Sequence, residues 1–343
     1  MTLVGNSHDD HGATFGQRGG REIVEEYGRA DRAVRAVRNA VGVIEMGYGV
    51  VVVTGSDRHD AVDAAITNAV PEGDGDGCYA LVLDDESAAE AELFVYAAGE
   101  RLLLFTPPGR AAAVIDRLDT TGRSVTAREA TDDFGVFGVH GPMATEKIAS
   151  VLHNASAPTG AYSFVRGSMG EAGVSVVAGD APGGEESYEV ICAAEGAGEV
   201  WTTLLSRGNG AAPFGYRTYE TLTLEAGTPL FDTEIDGERP ETVGLTDAVG
   251  LPETVADDQL VGLRIDAEEP PVGGATVLGA GGSVGRMTRA RWSPSLSATI
   301  GFAIVDAEST VEAVQTHGDR VSADTVSLPF VEGSDQSNRL PSY

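Results

Sequence analysis

Four short segments carry residue types whose spacing could support chemistry. Residues 8–11, His-Asp-Asp-His, could ligate a metal ion, but no third ligand follows at a useful spacing, so we expect a solvated segment. Residues 279–285 are as glycine-rich as a nucleotide-binding loop. Residues 286–292 are typical of a strand rather than the helix that such a loop must open, which predicts a β-turn. The acidic residues 84–86 predict a solvated hairpin, and His140 ends an apolar strand, where we expect a structural role. Spacing alone therefore identifies no catalytic group and no metal site.

The charge of the chain excludes two broad classes of function. The 343 residues include 23 basic and 53 acidic ones, which gives a formal net charge of −30. General nucleic-acid binders need a basic surface to displace counterions from phosphate, and an anionic membrane repels an acidic surface. We therefore expect neither nucleic acid nor a membrane among the partners.

Composition also predicts where the protein works. Lys147 is the only lysine, and such an acidic, lysine-poor chain is typical of a salt-rich cytoplasm, where screening weakens self-repulsion. An acidic protein of GC-rich coding origin is the alternative. The polar start of the chain does not resemble a signal peptide, and the apolar stretch 41–53 is too short to span a bilayer. Cys78 and Cys192 form no CxxC pair. We expect a cytoplasmic protein without a disulfide framework.

The pattern of apolar residues predicts two similar α+β units. A helix is predicted over 21–41, where Val34 and Val37 recur at helical spacing, and another from Ser56 or Asp57 to about residue 70. A strand, a glycine and a helix start occur at 50–55 and again at 134–141. This repeat suggests tandem ferredoxin-like halves, with two unrelated βα turns as the alternative. The other predicted strands are 79–83, 93–96, 101–105, 162–166, 174–178 and 188–192, and the other predicted helices begin near 108 or span about 196–206 and 214–226.

The last part of the chain predicts a different architecture. Residues 232–258 are rich in Pro, Gly, Asp and Glu and are typical of a loop. Strand-like runs between Gly/Pro turns over 260–305 predict a small β-barrel or sandwich, with one late helical stretch near 309–316. We therefore predict an α+β protein with domains at 1–125, 126–252 and 253–343, of which the last is a β-barrel.

Several segments, in order along most of the chain, resemble a known family. The chain is similar to the folate-binding family of the glycine-cleavage T-protein (aminomethyltransferase) and its YgfZ-type relatives in iron–sulfur cluster maintenance. The segments are 11–15 (HGATF), 36–43 (AVRNAVGV), 66–68 (ITN), 78–81 (CYAL), 139–144 (VHGPMA), 184–190 (GEESYEV), 221–231 (TLTLEAGTPLF) and 293–296 (SPSL).

The resemblance implies a ring of three domains around a channel that holds tetrahydrofolate. Tyrosine can stack on a flat pterin ring, and a carboxylate can accept hydrogen bonds from its N–H and amino edge. Core packing for the tyrosines and a helix brace for the second glutamate are the alternatives. The implied cofactor-binding residues are Tyr48, Asn68, Tyr79, Glu185, Arg217 and Glu225.

One departure bears on catalysis. The transferases carry a catalytic aspartate in GGxxDDLIVY, where this chain has Ala91 and then Glu92. Alanine cannot assist proton transfer, so aminomethyl transfer is expected to be lost unless Glu90 or Glu92 substitutes. Tyr219 likewise replaces an arginine that usually precedes DTLRLEAG.

The overall pattern favours the YgfZ branch, although its KGCYxGQE segment is absent and no cysteine follows Cys192. We therefore predict a tetrahydrofolate-binding protein linked to iron–sulfur or one-carbon metabolism, with partners from those processes and little catalysis of its own. A folate-dependent one-carbon transferase that uses Glu90 or Glu92 is the first alternative. A scaffold that has lost folate is the second.

Overall fold

The computed structural model describes residues 2–118, 120–316 and 318–343. The chain forms two compact units. The first comprises the residues up to Asp84, Glu90–Ala181 and Glu186–Thr218, and the second comprises Asp85–Ala89, Pro182–Glu185 and Tyr219–Tyr343. The division into three domains at 1–125, 126–252 and 253–343 stays a prediction.

The first unit contains three sheets and the helices that cover them. Its strands are β1 (Thr14–Arg18), β2 (Arg21–Glu26), β3 (Gly42–Glu45), β4 (Gly49–Thr54), β5 (Gly77–Leu83), β6 (Ala89–Ala98), β7 (Arg101–Thr106), β8 (Thr126–Glu129), β9 (Phe134–His140), β10 (Phe164–Met169), β11 (Ala172–Ala178), β12 (Ser187–Ala193) and β13 (Ala212–Pro213). Its helices are α1 (Gly5–Asp10), α2 (Ala30–Asn39), α3 (Arg58–Asp63), α4 (Ala111–Arg117), α5 (Ala144–Val151), α6 (Ala197–Ser206) and the first turn of α7 (Tyr216–Glu225).

The two larger sheets repeat one topology. One has the strand order β5-β6-β7-β4-β8 and the other β10-β11-β12-β9-β3-β13, while β1 and β2 form a separate ribbon. Strands β4 and β9, each followed by a glycine at positive φ and then a helix, occupy equivalent places. The predicted tandem repeat is confirmed. Each half has three strands between its helices, one more than a β-α-β-β-α-β unit.

Strict alternation along the central strands gives each sheet one face for a core. In β6, Ala91 and Leu93 pack into the core that α4 covers, so Glu92 and Phe94 lie on the opposite face. In β12, Val190 packs into the core with residues of α5 and α6, so its neighbours in the strand lie on the opposite face. The two faces that turn away from the helices are therefore free to form a site within this unit.

Two predicted helices of the first unit are wrong in extent. Residues 21–41 divide into β2 and α2 because β2 pairs with β1 and Gly28 follows it at φ +85°. The helix predicted to residue 70 ends at Asp63, whose Oδ1 accepts a hydrogen bond of 2.9 Å from the backbone N–H of Val70. This local turn replaces the helical hydrogen bonds.

The prediction that residues 8–11 are solvated is wrong for His8. His8 lies at the end of α1 and is fully buried. Its ring nitrogens contact Glu45 Oε2 at 2.5 Å and the Tyr27 hydroxyl at 2.6 Å. Tertiary packing against Trp201 removes from solvent a histidine that composition assigned to the surface.

The second unit is built on a closed six-stranded barrel. Its strands, in the order β14-β17-β16-β15-β18-β19, are β14 (Asp258–Ile265), β15 (Thr276–Gly279), β16 (Gly282–Ser293), β17 (Ala298–Asp306), β18 (Ala313–Thr316) and β19 (Asp319–Val326). A π-helical turn (Phe231–Ile235) precedes it. The mixed α+β class and the C-terminal barrel are as predicted.

Two expectations for the barrel have opposite outcomes. The glycine-rich run at 279–285 is the turn between β15 and β16, as predicted. The helical stretch near 309–316 is wrong, because Val314 of β18 pairs with Val277 and Val321 and is fully buried inside the barrel. Barrel closure decides the conformation of so short an apolar run.

Candidate functional site

The first unit contains an aromatic cavity between the helix-free faces of its two larger sheets. It is lined by Tyr48, Phe94, Tyr96, Phe105, Val136, Tyr162, Gly179, Asp180, Glu189 and Ile191. Its volume of about 10 Å³ leaves room for about one water molecule.

Five aromatic rings form most of its wall. Phe94 and Phe105 come from the face of the five-stranded sheet that turns away from the core. The Tyr48 ring lies 6.0 Å from that of Phe94 and 6.1 Å from that of Phe105, and Tyr162 lies 6.3 Å from Phe94. Tyr48 and Tyr162 are half-buried residues outside the regular strands.

Two carboxyl groups share the cavity with these rings. Asp180 follows β11 and is only 5% exposed, and Glu189 lies in the middle of β12. The Tyr48 side chain hydrogen bonds to Glu189, while Glu189 Oε2 is inaccessible to solvent and has no hydrogen-bond partner among the described residues. Burial and, after it, the charge of Asp180 raise the pKa of Glu189 to about 8, against the lowering effect of the hydrogen bond from Tyr48. Glu189 is therefore largely protonated at neutral pH.

The cavity is otherwise poor in groups that titrate near neutral pH. Burial raises the pKa of Tyr96 well above its usual value. Burial also lowers the pKa of His140 to about 4, against the charge of Asp180. His140 is therefore a neutral imidazole at physiological pH, on the same strand face as Val136.

Three residues implied by the resemblance lie at or next to this wall. Tyr48 lines the cavity. Tyr79 is buried with its ring 5.4 Å from Phe94, and its hydroxyl donates a 2.9 Å hydrogen bond to Glu92 Oε1. Asn68 is half-buried and donates to the backbone carbonyl of Tyr79 at 3.1 Å, which places it behind that tyrosine.

The acidic pair considered for catalysis separates in the structure. Glu92 is buried on the face of β6 that carries Phe94, whereas Ala91 lies in the opposite core. Glu90 forms an ion pair with Arg117. A carboxylate is thus present on the aromatic side of the strand, one position after the alanine.

The remaining implied residues have other surroundings. Arg217 is half exposed and forms ion pairs with Glu25 and Glu26 at 3.7 and 3.5 Å. Glu185 lies in the segment Pro182–Glu185 of the second unit and is half-buried.

Glu225 is the third of these and lies at the end of α7, fully buried in the second unit. It accepts hydrogen bonds from Ser293 Oγ at 2.6 Å and Ser295 Oγ at 2.9 Å. These contacts fit the helix-brace alternative.

Sequence reasoning missed both cavity carboxylates. Glu189 was detectable, because it is the charged residue in the middle of the apolar run Tyr188–Cys192 and so interrupts a strand where both faces are buried. Asp180 carries no comparable signal. Its position depends on the turn between β11 and β12.

Two domain families match the chain. The GCVT N-terminal domain matches residues 4–252, and the glycine cleavage T-protein C-terminal barrel domain matches residues 259–332. The chain belongs to the glycine cleavage T-protein family. The resemblance seen in the sequence is thereby confirmed. Aminomethyltransferases of this family use tetrahydrofolate.

Relatives of the T-protein family match over nearly their whole length. A probable aminomethyltransferase of Halobacterium salinarum is 30% identical, with 95% of this chain and 97% of the relative covered. An aminomethyltransferase of Frankia alni is 32% identical, with 94% and 95% covered. The crystal structure of the glycine cleavage system aminomethyltransferase T from Bartonella henselae has a TM-score of 0.83 at 19% identity, covering 96% of this chain and 98% of that one, and so shares the fold.

No described helix is long and apolar enough to cross a bilayer. Within residues 2–118, 120–316 and 318–343, no group of three or more His, Cys, Asp or Glu side chains is placed to hold a metal ion.

Proposed function

We propose that this chain binds tetrahydrofolate in the aromatic cavity, with Glu189 as the residue that recognises the pterin edge. The observation that carries this proposal is the buried oxygen of Glu189, which faces a ring-lined cavity without a hydrogen-bond partner among the described residues. A buried unpaired carboxyl oxygen is unfavourable unless a ligand supplies a donor.

The chemistry of the lining residues fits a pterin. The aromatic rings offer flat apolar surfaces for stacking, and a carboxylate accepts two hydrogen bonds from an N–H and an adjacent amino group. When bound, tetrahydrofolate would accept the one-carbon unit. Tyr48 and Glu189 would orient its ring system, and Phe94 and Phe105 would exclude water from it.

The present volume requires a change on binding. A cavity that holds about one water admits a bicyclic ring only if its walls separate. Tyr48 and Tyr162, which lie outside the strands, are the wall residues able to move without breaking the sheets.

Glu92 supports a second function, folate-dependent one-carbon transfer. Its carboxylate lies on the aromatic face of β6 and accepts the hydrogen bond from Tyr79, which holds it in one orientation. The sequence-based expectation that aminomethyl transfer is lost depends on Ala91. That residue faces the core, whereas Glu92 lies on the aromatic face. We therefore assign any transfer activity to Glu92. The link to YgfZ-type iron–sulfur maintenance, and partners from that process, stay predictions from sequence resemblance.

Calorimetric titration with tetrahydrofolate, without oxygen and in molar KCl, tests the binding proposal. The wild-type chain is expected to bind, and Glu189→Gln is expected to weaken binding by about 1–3 kcal/mol because one oxygen becomes a donor. Glu100→Gln, at an exposed glutamate in the turn between β6 and β7, is the matched control and should bind like the wild type. Absence of binding by the wild type, or equal affinity of wild type and Glu189→Gln, would refute the assignment.

Ammonia release from an aminomethyl donor in the presence of tetrahydrofolate tests the transfer proposal. Turnover by the wild type that is lost in Glu92→Gln, with folate affinity retained, supports Glu92. Turnover that survives this change contradicts its role, and no turnover by the wild type supports the binding function alone.

A further inference from the structure

Asp180 is held rigidly beside Glu189. The backbone N–H groups of Gly179 and Ala181 donate to the carbonyl and the hydroxyl of Ser187 at 2.9 and 3.0 Å, so the residue between them has a fixed place. A Cβ at position 179 would lie 2.2 Å from Ser187 Oγ, so glycine at 179 leaves room for that hydroxyl to accept the hydrogen bond from Ala181. Glu189 follows Ser187 by two positions on β12, so both carboxyl groups reach the same cavity.

The two carboxyl groups lie among aromatic and aliphatic side chains of the cavity wall. Its lining residues include neither lysine nor arginine within the described chain. Two like charges in one poorly hydrated space repel each other, so the second proton is retained to higher pH. The charge of Asp180 therefore opposes ionisation of Glu189, the proposed pterin-recognition group.

The other titratable groups near the two carboxyl groups are three tyrosines and one histidine. Tyr48 comes from the segment between β3 and β4, Tyr96 from β6, and Tyr162 from the segment before β10. His140 of β9 interacts with Asp180 and is neutral, since burial lowers its pKa to about 4. Glu189, whose pKa is about 8, is therefore the group whose ionisation the ligand would change near neutral pH.

We propose that Asp180 is a positioning residue that keeps Glu189 protonated in the ligand-free protein, so that pterin binding expels one proton to solvent. This inference rests on the proposed function. In the ligand-free site Glu189 keeps its proton beside the charge of Asp180. The N–H and amino donors of a pterin require both oxygens of Glu189 as acceptors, so its proton passes to water when the ligand enters. Below the pH at which Glu189 ionises, affinity should rise about tenfold per pH unit.

Two measurements test this inference. The ligand-free titration of Glu189 is followed by carbon-13 NMR of the glutamate carboxyl signals, with Glu189→Gln used for assignment. Proton release on tetrahydrofolate binding is counted by calorimetry at pH 7 in buffers of different ionisation enthalpy. The variants are Asp180→Asn and, in case it folds poorly, Asp180→Ser, with the wild type and Glu100→Gln as controls.

The expected results separate this inference from the proposed function. In the Asp180 variants, Glu189 should ionise at lower pH, fewer protons should be released, and the pH dependence of affinity should shift in the same direction. An unchanged titration of Glu189 in both variants would overturn the inference while folate binding stands. If no folate binds at any pH, the proposed function fails and the proton release with it, even where the titration shifts.

Discussion

Glu189 of β12 pairs across the sheet with Gly138 of β9, and the imidazole of His140 lies over that glycine. A Cβ at position 138 would lie only 2.5 Å from His140 Nε2. The carboxyl group and the imidazole therefore stand on one strand face, on either side of a residue without a side chain. Burial raises the pKa of Glu189 and lowers the pKa of His140. The two groups therefore affect the pH dependence of stability in opposite ways.

The pKa of Glu189 predicts a loss of stability with rising pH. The folded protein holds this proton with a pKa of about 8, whereas an unfolded glutamate releases it near 4.5. The contribution of this proton to the free energy of unfolding is therefore complete below the unfolded-state pKa of 4.5 and is lost as pH rises through about 8. Thermal unfolding between pH 5 and 9 at constant salt should show this decline in the wild type and in Glu100→Gln. A decline of the same size in Glu189→Gln would contradict the assignment.

The pKa of His140 predicts that stability rises with pH in the acid range, opposite to the effect of Glu189. Its folded pKa of about 4 lies below the usual 6.5, so the unfolded chain binds the proton more strongly. Stability is therefore lost as pH falls from about 6.5 towards 4. Replacement by glutamine should reduce this loss, measured by urea unfolding at pH 4.5, 5.5 and 6.5. Because Glu189 acts in the other direction over the same interval, the clearest comparison is His140→Gln against wild type, both carrying Glu189→Gln. Parallel slopes would show that His140 is not the source.

Substitutions at positions 91 and 92 are expected to lower the free energy of unfolding by different amounts. Ala91 is 1% exposed within the apolar core that contains Leu93, so Ala91→Asp places a carboxyl group among apolar side chains. We expect a loss of about 3 kcal/mol or more in the free energy of unfolding. Glu92→Asp keeps the charge on the other face and should lose less. Chemical unfolding of both variants tests this, and equal losses would mean that the two faces are not distinct.

Glu225 predicts a change in stability without a change in ligand affinity. Its carboxylate accepts hydrogen bonds from Ser293 and Ser295 in the second unit. Glu225→Gln should reduce unfolding free energy by about 1–3 kcal/mol, since hydrogen bonds to a charged group are lost. Tetrahydrofolate affinity, measured by calorimetry on the folded variant, should remain that of the wild type. Weakened binding at unchanged stability would restore the ligand role that the resemblance implied.

The local pattern of apolar residues was sufficient to predict many of the strands and helices. Residues 134–140 form a strand with the bounds that alternation predicts, and the repeat of strand, glycine and helix appears in two sheets of the same order. Helices α6 and α7 lie within one or two residues of their predicted limits. These elements are long enough, or periodic enough, for neighbouring residues to specify them.

Elements whose conformation depends on distant partners were predicted less well. Residues 21–26 form a strand because β1 pairs with them, and 313–316 form a strand because the barrel closes around them. A short apolar run has no periodicity that distinguishes strand from helix, so tertiary pairing decides.

The amino-acid sequence by itself determined the class of molecule: an acidic α+β chain with a terminal barrel and the motifs of a folate-binding family. Only the tertiary structure decided which carboxyl groups share a cavity, because a side chain changes face with every step along a strand. Motif order directed attention to Glu185 and to the Ala91 position. Strand pairing brought Glu189 and Asp180 together and turned Glu92, not Ala91, towards the aromatic rings.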